Sequence, residues 1–264
     1  MIFLLRTFLL FSLVFVSLGC SVMQPRPVSD RVYRFNDLDR FVDVEYGKPN
    51  ILTRVNDVKD RLISRIPLMP QPAGPQEIQN TVATSVDYLA KNEMHDVKVR
   101  VNQYAPLDEL RRLHETNTVG KPLQYTLGVA SIARYAVLPG QLTKADSYNP
   151  YTNTLNLNSG NAPIAIEQAA HAKDIRQRRM PNLYLLAKQA PGGELPGIVA
   201  TKNEVINYFA MYGTPQQQQQ ATNSMIPRLT SQIGGEIGDF VPGSGPAFSI
   251  AGKVLGKAIT TIRR

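Results

Sequence analysis

Glu167 and His171 stand four residues apart, in a stretch that begins with Pro163 at a helical first-turn position and is predicted to be a helix. Residues i and i+4 share one helix face, so a carboxylate and an imidazole at this spacing can bind the same metal ion. Asp174 follows one turn later and adds a second carboxylate. Gln168 lies between them, and because an amide cannot accept a proton at any working pH it cannot serve as a general base.

The elements around this helix are predicted from local patterns. Asn149–Asn153 has turn-forming residues, and Thr154–Asn158 alternates apolar and polar residues as a strand does. Val97–Val101 alternates in the same way and is predicted to be a strand with one face in water. Leu123–Leu138 is apolar and long enough to predict a buried helix. The helix after the second strand spans about residues 163–178.

Further helices are indicated outside this region. Pro75 opens one whose apolar residues share a face, and Pro106–Glu115 is a short charged helix. Another covers about Ala200–Met211. Thr214 and Pro215 are typical of a helix N-cap and first position, and the glutamines that follow predict a solvated helix face.

Three segments, Gln124–Gly128, Tyr148–Thr154 and Ile164–Asp174, resemble a little-characterised bacterial family. In that family the third segment usually has the sequence A-L-H-E-x-G-H-A-K-D. The resemblance extends from about Lys121 to Phe209. It implies a strand, a turn and a helix carrying HExxH, which resembles the core of zincin-type zinc metallopeptidases.

The chain departs from the family at the positions that carry chemistry. Glu167 occupies the first histidine position, Gln168 the position of the general base, and only His171 is retained. The alignment of the family's third ligand places Gly197 at that position. Glu194, three residues upstream, could replace it only if the loop shifted.

Three interpretations of this helix follow. In the first, Glu167, His171 and Asp174 form a structural polar network and no metal or other cofactor is expected. In the second, Glu167 and His171, with Glu194, are the remnant of a zinc site that binds without hydrolysing. In the third, other residues form a rearranged catalytic site. The single cysteine and the three histidines of the chain exclude a Cys-based zinc cluster and disfavour a His-rich one.

The N-terminus predicts a membrane anchor. Thr7–Leu18 is apolar over 12 residues, too short for a transmembrane span and typical of a signal-peptide core. Val16–Cys20 resembles the lipobox of bacterial lipoproteins, in which cleavage precedes the cysteine and acyl chains such as palmitate are attached to it. Ser21 resembles the residue found in lipoproteins sorted to the outer membrane. The predicted mature chain has 28 basic and 21 acidic residues, hence a net charge of +7.

The predicted fold class is α+β and mainly helical, with a small sheet from strands near 97–103 and 153–158 and a zincin-like core helix. The predicted organisation is a signal peptide (1–19), an acylated tether (20–30), an N-terminal helical subdomain with a Pro-rich boundary (31–75), a degenerate zincin-like domain (76–232) and a Gly-rich C-terminal segment (233–264). In this last segment Gly252 and Gly256 share a stripe beside Lys253 and Lys257. That stripe is predicted either to pack on the domain or to contact a partner or the membrane.

The function predicted from these features is that of a non-catalytic lipoprotein facing the periplasm. It would be a pseudoenzyme serving as a structural or assembly component of an outer-membrane protein complex, such as the core of a secretion system. The alternative from another class is a membrane-tethered metallohydrolase with a rearranged site. The third hypothesis, motivated only by the positive charge, is a module that binds peptidoglycan or lipid headgroups. The charge is spread along the chain without a basic stripe, and no phosphate loop or dinucleotide fingerprint is present, so no nucleic-acid partner is predicted.

Overall fold

The computed structural model describes residues 42–47, 59–60, 73–190, 192–238 and 253. They fall into two compact units, which divide between Arg176 and Gln177. The first unit carries the sheet and the motif helix. The predicted signal peptide, tether and most of the C-terminal segment, including Cys20, Gly252, Gly256 and Lys257, lie outside the described residues. Lys253 is helical and exposed.

The first unit is a mixed sheet with helices between its strands. Its strands are β1 (Val44–Tyr46), β2 (Lys98–Val101), β3 (Ser147–Asn149) and β4 (Thr154–Leu157), and its helices are α1 (Pro75–Lys91), α2 (Pro106–Glu115), α3 (Lys121–Leu123), α4 (Val129–Val137), α5 (Gly140–Thr143) and α6 (Ala162–Gln177). A π-helical turn, Gln124–Gly128, joins α3 to α4. The α+β class with a small sheet, mainly helical overall, is therefore confirmed.

The sheet has the order β1-β2-β4-β3. Strands β1, β2 and β4 run parallel, with Val99 paired to Val44 on one side and to Leu155 on the other. Strand β3 is antiparallel to β4 and forms an edge. The two predicted strands are thus the central pair, and β1 and β3 extend them.

Strand β2 differs from its prediction in one respect. The alternation predicted a face in water, yet Arg100 on that face is only 2% exposed. Its guanidinium lies against the carboxylate of Glu109 on α2, which satisfies the charge inside the protein. The alternating pattern therefore predicted the strand correctly, but it predicted the exposure of Arg100 wrongly.

The segment 123–138 is helical as predicted, but its predicted burial is wrong. Its large apolar side chains at Tyr125, Val129, Val137 and Leu138 are 43 to 77% exposed. The inward positions are instead occupied by Gln124, Gly128 and Ile132. A Cβ at Gly128 would lie 2.7 Å from Leu113 Cδ1, so a glycine permits α2 and this segment to approach.

The second unit comprises α7 (Pro181–Ala187), α8 (Leu195–Tyr212) and α9 (Pro215–Gly238), of which α8 and α9 pack together. The predicted N-cap of α9 is confirmed. Gln217 N donates to Thr214 Oγ1 over 3.3 Å, and Thr214 N donates to Gln217 Oε1 over 2.8 Å. This reciprocal pair satisfies two backbone donors that the first helical turn leaves free.

Candidate functional site

The turn between β4 and α6 holds the motif helix in place. The Asp146 carboxylate accepts hydrogen bonds from Asn158 N at 2.6 Å, Ser159 N at 2.8 Å and Ser159 Oγ at 2.5 Å. Asn161 Oδ1 then accepts from Ile164 N at 3.2 Å, as an N-cap side chain does. Because Asp146 immediately precedes β3, one carboxylate fixes the edge strand relative to the start of α6.

Helix α6 is buried on most of its circumference. Ala165, Ala169 and Ala170 have no exposed surface, and the charged residues Glu167 and Asp174 are each 1% exposed. Buried charges require partners, and Glu167, His171 and Asp174 each make at least one hydrogen-bonding, electrostatic or ring contact. The specific pairing of Glu167 with His171 stays a prediction.

Gln168, which the family resemblance places at the position of a general base, has a structural contact. Gln168 Oε1 accepts a hydrogen bond from the backbone N–H of Tyr148, 3.3 Å away on β3. In β3 this N–H belongs to the residue paired with Leu155 of β4. The amide of Gln168 therefore links the motif helix to the edge strand through a backbone donor of that strand.

The hairpin between β3 and β4 is held by a second set of polar contacts. Asn153 has a left-handed backbone with φ of 51°, and its side chain accepts from Tyr148 Oη at 2.8 Å. It also donates to the Asp96 carbonyl at 3.1 Å and carboxylate at 2.9 Å. Burial raises the pKa of Tyr148, so its hydroxyl stays protonated and remains a donor to Asn153.

The two candidates for the third metal ligand, Gly197 and Glu194, belong to the second unit. Gly197 is buried in the first turn of α8, where its carbonyl accepts from Thr201 Oγ1 at 2.8 Å. Glu194 precedes that helix and is exposed. Within the described part of the chain, no group of three or more His, Cys, Asp or Glu residues is arranged to hold a metal ion. No helix in that part is long and apolar enough to span a bilayer.

A buried ion pair that the sequence did not predict lies beside the sheet. Glu109 on α2 is 1% exposed and receives the Arg100 guanidinium at Oε1 and the Thr152 hydroxyl at Oε2, the latter over 2.5 Å. Arg112, one turn further along α2, donates to the Thr152 carbonyl at 2.7 Å and the Asp96 carbonyl at 2.8 Å. Burial lowers the pKa of Arg112, whose guanidinium is nevertheless bound to these carbonyls.

These contacts converge on the turn before β4. The carbonyls of Thr152 and Asn153 accept hydrogen bonds from Arg112 of α2, and the side-chain oxygen of Asn153 accepts one from the Tyr148 hydroxyl. The same turn leads through β4 into α6. The sequence Asn149–Asn153 predicted the turn itself but not its contacts. Its partners on α2 are about 40 residues away in sequence, and no local pattern links them.

Comparison of the chain with known proteins adds nothing to these contacts. A scan against family models and searches of the curated proteins and of the solved structures found no match to the chain. The residues of the strand–turn–helix region (147–177) are therefore what supports a function for this chain.

The contact of Gln168 gives a testable expectation. Gln168→Met removes the acceptor for Tyr148 N while keeping a long side chain, and we expect the free energy of unfolding to fall by about 1 kcal/mol in urea titrations. Gln168→Glu retains an acceptor but places a second carboxylate beside Glu167, so we expect some loss of stability and no hydrolysis.

The matched control is Gln79→Met, the same change at an exposed position of α1 in the same unit. It should alter the free energy of unfolding by less than about 0.5 kcal/mol. Equal effects of Gln168→Met and Gln79→Met would show that the Gln168–Tyr148 hydrogen bond does not stabilise the protein.

Proposed function

We propose that this chain is a non-catalytic, lipid-anchored component of a bacterial envelope complex. Its strand–turn–helix region would be a degenerate zincin-like core that serves as a scaffold. In this proposal α6 keeps the position of a metallopeptidase helix and contributes packing and polar contacts in place of metal chemistry.

The observation that carries the proposal is the contact of Gln168. A hydrolytic HExxH helix needs a carboxylate at this position, because that group takes the proton of a metal-bound water. Here the position holds an amide, which cannot take a proton, and its oxygen is bonded to the backbone of β3. The side chain that would do the chemistry is instead part of the framework.

The surroundings of α6 support the same role. Glu167 occupies a ligand position as a carboxylate with 1% exposure, and the turn that leads to the helix is fixed by Asp146 and by the contacts of Asn153. From Pro163 to Ile175 every residue of α6 is buried except Ile164, Gln168 and His171, which are half-buried. Such close packing suits an element that holds a surface in shape for other proteins.

The lipid anchor is supported by the position of Cys20. It is the only cysteine of the chain and stands directly after the apolar run and Gly19. The predicted tether that follows, residues 21–30, is polar and proline-bearing, and its ten residues could span at most roughly 35 Å if fully extended. That length would let the folded units reach protein partners away from the lipid surface.

The experiment that tests this function is co-purification from the native membrane. Affinity-tagged wild-type chain, solubilised in mild detergent, should elute with other envelope proteins in fixed stoichiometry, as identified by mass spectrometry. The Cys20→Ala chain should lose these proteins because it is no longer held beside them. A wild-type chain that elutes alone and hydrolyses peptides would contradict the proposal and support the metallohydrolase alternative.

A further inference from the structure

A short part of the second unit combines exposed apolar side chains with basic ones. Between Asp174 and Glu194 the chain has no acidic residue. Within that interval Met180, Leu183 and Leu186 are 54%, 48% and 48% exposed. They recur every three residues along α7 and its N-terminal flank, so they lie on one side of it. We call residues 178–188 the basic–apolar segment.

Cationic groups stand at both ends of this segment. The Arg178 guanidinium carbon lies 4.3 Å from the ring centroid of Tyr184, and Lys188 Nζ lies 5.7 Å from the same centroid. Arg179 is exposed. The ring of Tyr184 thus holds two basic side chains against α7, while Leu185 on another side of the helix is buried.

From this arrangement we infer that the basic–apolar segment is a peripheral contact site for an anionic lipid bilayer. Met180, Leu183 and Leu186 would enter the boundary between headgroups and acyl chains, and Arg178, Arg179 and Lys188 would contact lipid phosphates. Helices that lie on membranes combine an apolar face with Lys and Arg in this way. Tyrosine is also common at the interface, where its ring is apolar and its hydroxyl meets water.

The positive charge of the basic–apolar segment favours an anionic bilayer over a second copy of this chain. A second copy of this chain would bring like charges together, which opposes self-association through this surface. An anionic bilayer offers phosphates for each of the three cations and an apolar layer for the exposed side chains. The inference rests on the proposed function only in that a tethered chain would be close to a membrane, and the contact itself requires no acyl chain.

The test uses the chain from residue 20 onward with Cys20→Ser, which has no acyl chain and retains every residue that the structure describes. It is centrifuged with vesicles of phosphatidylethanolamine containing either phosphatidylglycerol or phosphatidylcholine. We expect sedimentation with the phosphatidylglycerol vesicles, and at least tenfold weaker binding to phosphatidylcholine vesicles or in 1 M NaCl. Because the probe is unacylated, the result is independent of whether Cys20 is lipidated in cells.

Three variants locate the contact. Arg179→Glu should weaken binding about tenfold, because it reverses an exposed charge beside the apolar side chains. Leu183→Gln with Leu186→Gln should weaken it by a similar factor, and both changes are at exposed positions that folding tolerates. Arg111→Glu makes the same charge change at a residue of α2 whose side chain is 74% exposed, and it should bind as wild type.

The results that would overturn the inference are equally specific. One is a wild-type chain that does not bind phosphatidylglycerol vesicles. Another is binding that Arg179→Glu and the double leucine variant leave unchanged while circular dichroism shows all proteins folded. A third is self-association without vesicles that the same variants abolish, which would assign this surface to a second copy.

Discussion

Glu109→Ala is expected to lower the free energy of unfolding of the first unit by about 3–5 kcal/mol. The change removes the buried carboxylate against the Arg100 guanidinium, which is 2% exposed and keeps only the half-exposed Glu45 carboxylate at 3.6 Å, and it leaves the Thr152 hydroxyl without its acceptor. A buried charge left with only a distant, half-exposed partner costs more than the removed contact contributed. Urea unfolding followed by circular dichroism measures the loss.

The control lies next to it on the same helix. Asp108 pairs with Arg111 at 3.5 Å across an exposed surface, so Asp108→Ala should cost less than about 1 kcal/mol. Replacing both partners, Arg100→Met with Glu109→Met, removes the buried charges together and should recover much of the loss. Similar effects of Glu109→Ala and Asp108→Ala would show that the buried ion pair does not form.

Cys20→Ala is the second change for which we expect a large effect, here on acylation and membrane attachment. We expect complete loss of palmitate incorporation and release of the protein from the membrane fraction, because each buried CH₂ of an acyl chain contributes about 0.8 kcal/mol to anchoring. Labelling with a palmitate analogue and fractionation of cells measure both. Ser21→Ala, a change at the neighbouring residue, should retain the label. Label that persists in Cys20→Ala would show that the chain is not a lipoprotein acylated at this cysteine.

Local sequence predicted the elements of this protein better than their surroundings. Pro75, Pro106 and Thr214–Pro215 set the starts of α1, α2 and α9, because helix N-termini depend on nearby residues. The central strands β2 and β4 followed from alternation. Strands β1 and β3 were missed because each is three residues long: β1 lies within the segment 31–75 that was predicted to be helical, and β3 merges into the turn sequence that follows it.

What sequence could not predict depends on contacts between distant residues. Arg100 alternates with valines as a solvent-facing residue would, and only the approach of Glu109 makes its burial possible. The apolar residues of 123–138 predicted burial, but Gln124 takes an inward position by donating to the Thr116 carbonyl at 2.8 Å. Likewise, the motif showed that Gln168 cannot be a base, whereas its contact with Tyr148 follows only from the hairpin's position beside α6.

The most direct test of the scaffold role of α6 is the zinc content of the purified protein together with the thermal stability of His171→Ala. One histidine and one carboxylate at i and i+4 are too few ligands for tight zinc binding. We therefore expect substoichiometric zinc after purification without chelator, and a melting temperature that added zinc does not change. If His171 belongs to the proposed polar network with Glu167 and Asp174, His171→Ala should melt at a lower temperature than wild type, since truncating one member of such a network costs about 1–3 kcal/mol. Stoichiometric zinc that is lost in His171→Ala, with a wild-type melting temperature that rises on zinc addition, would contradict the account.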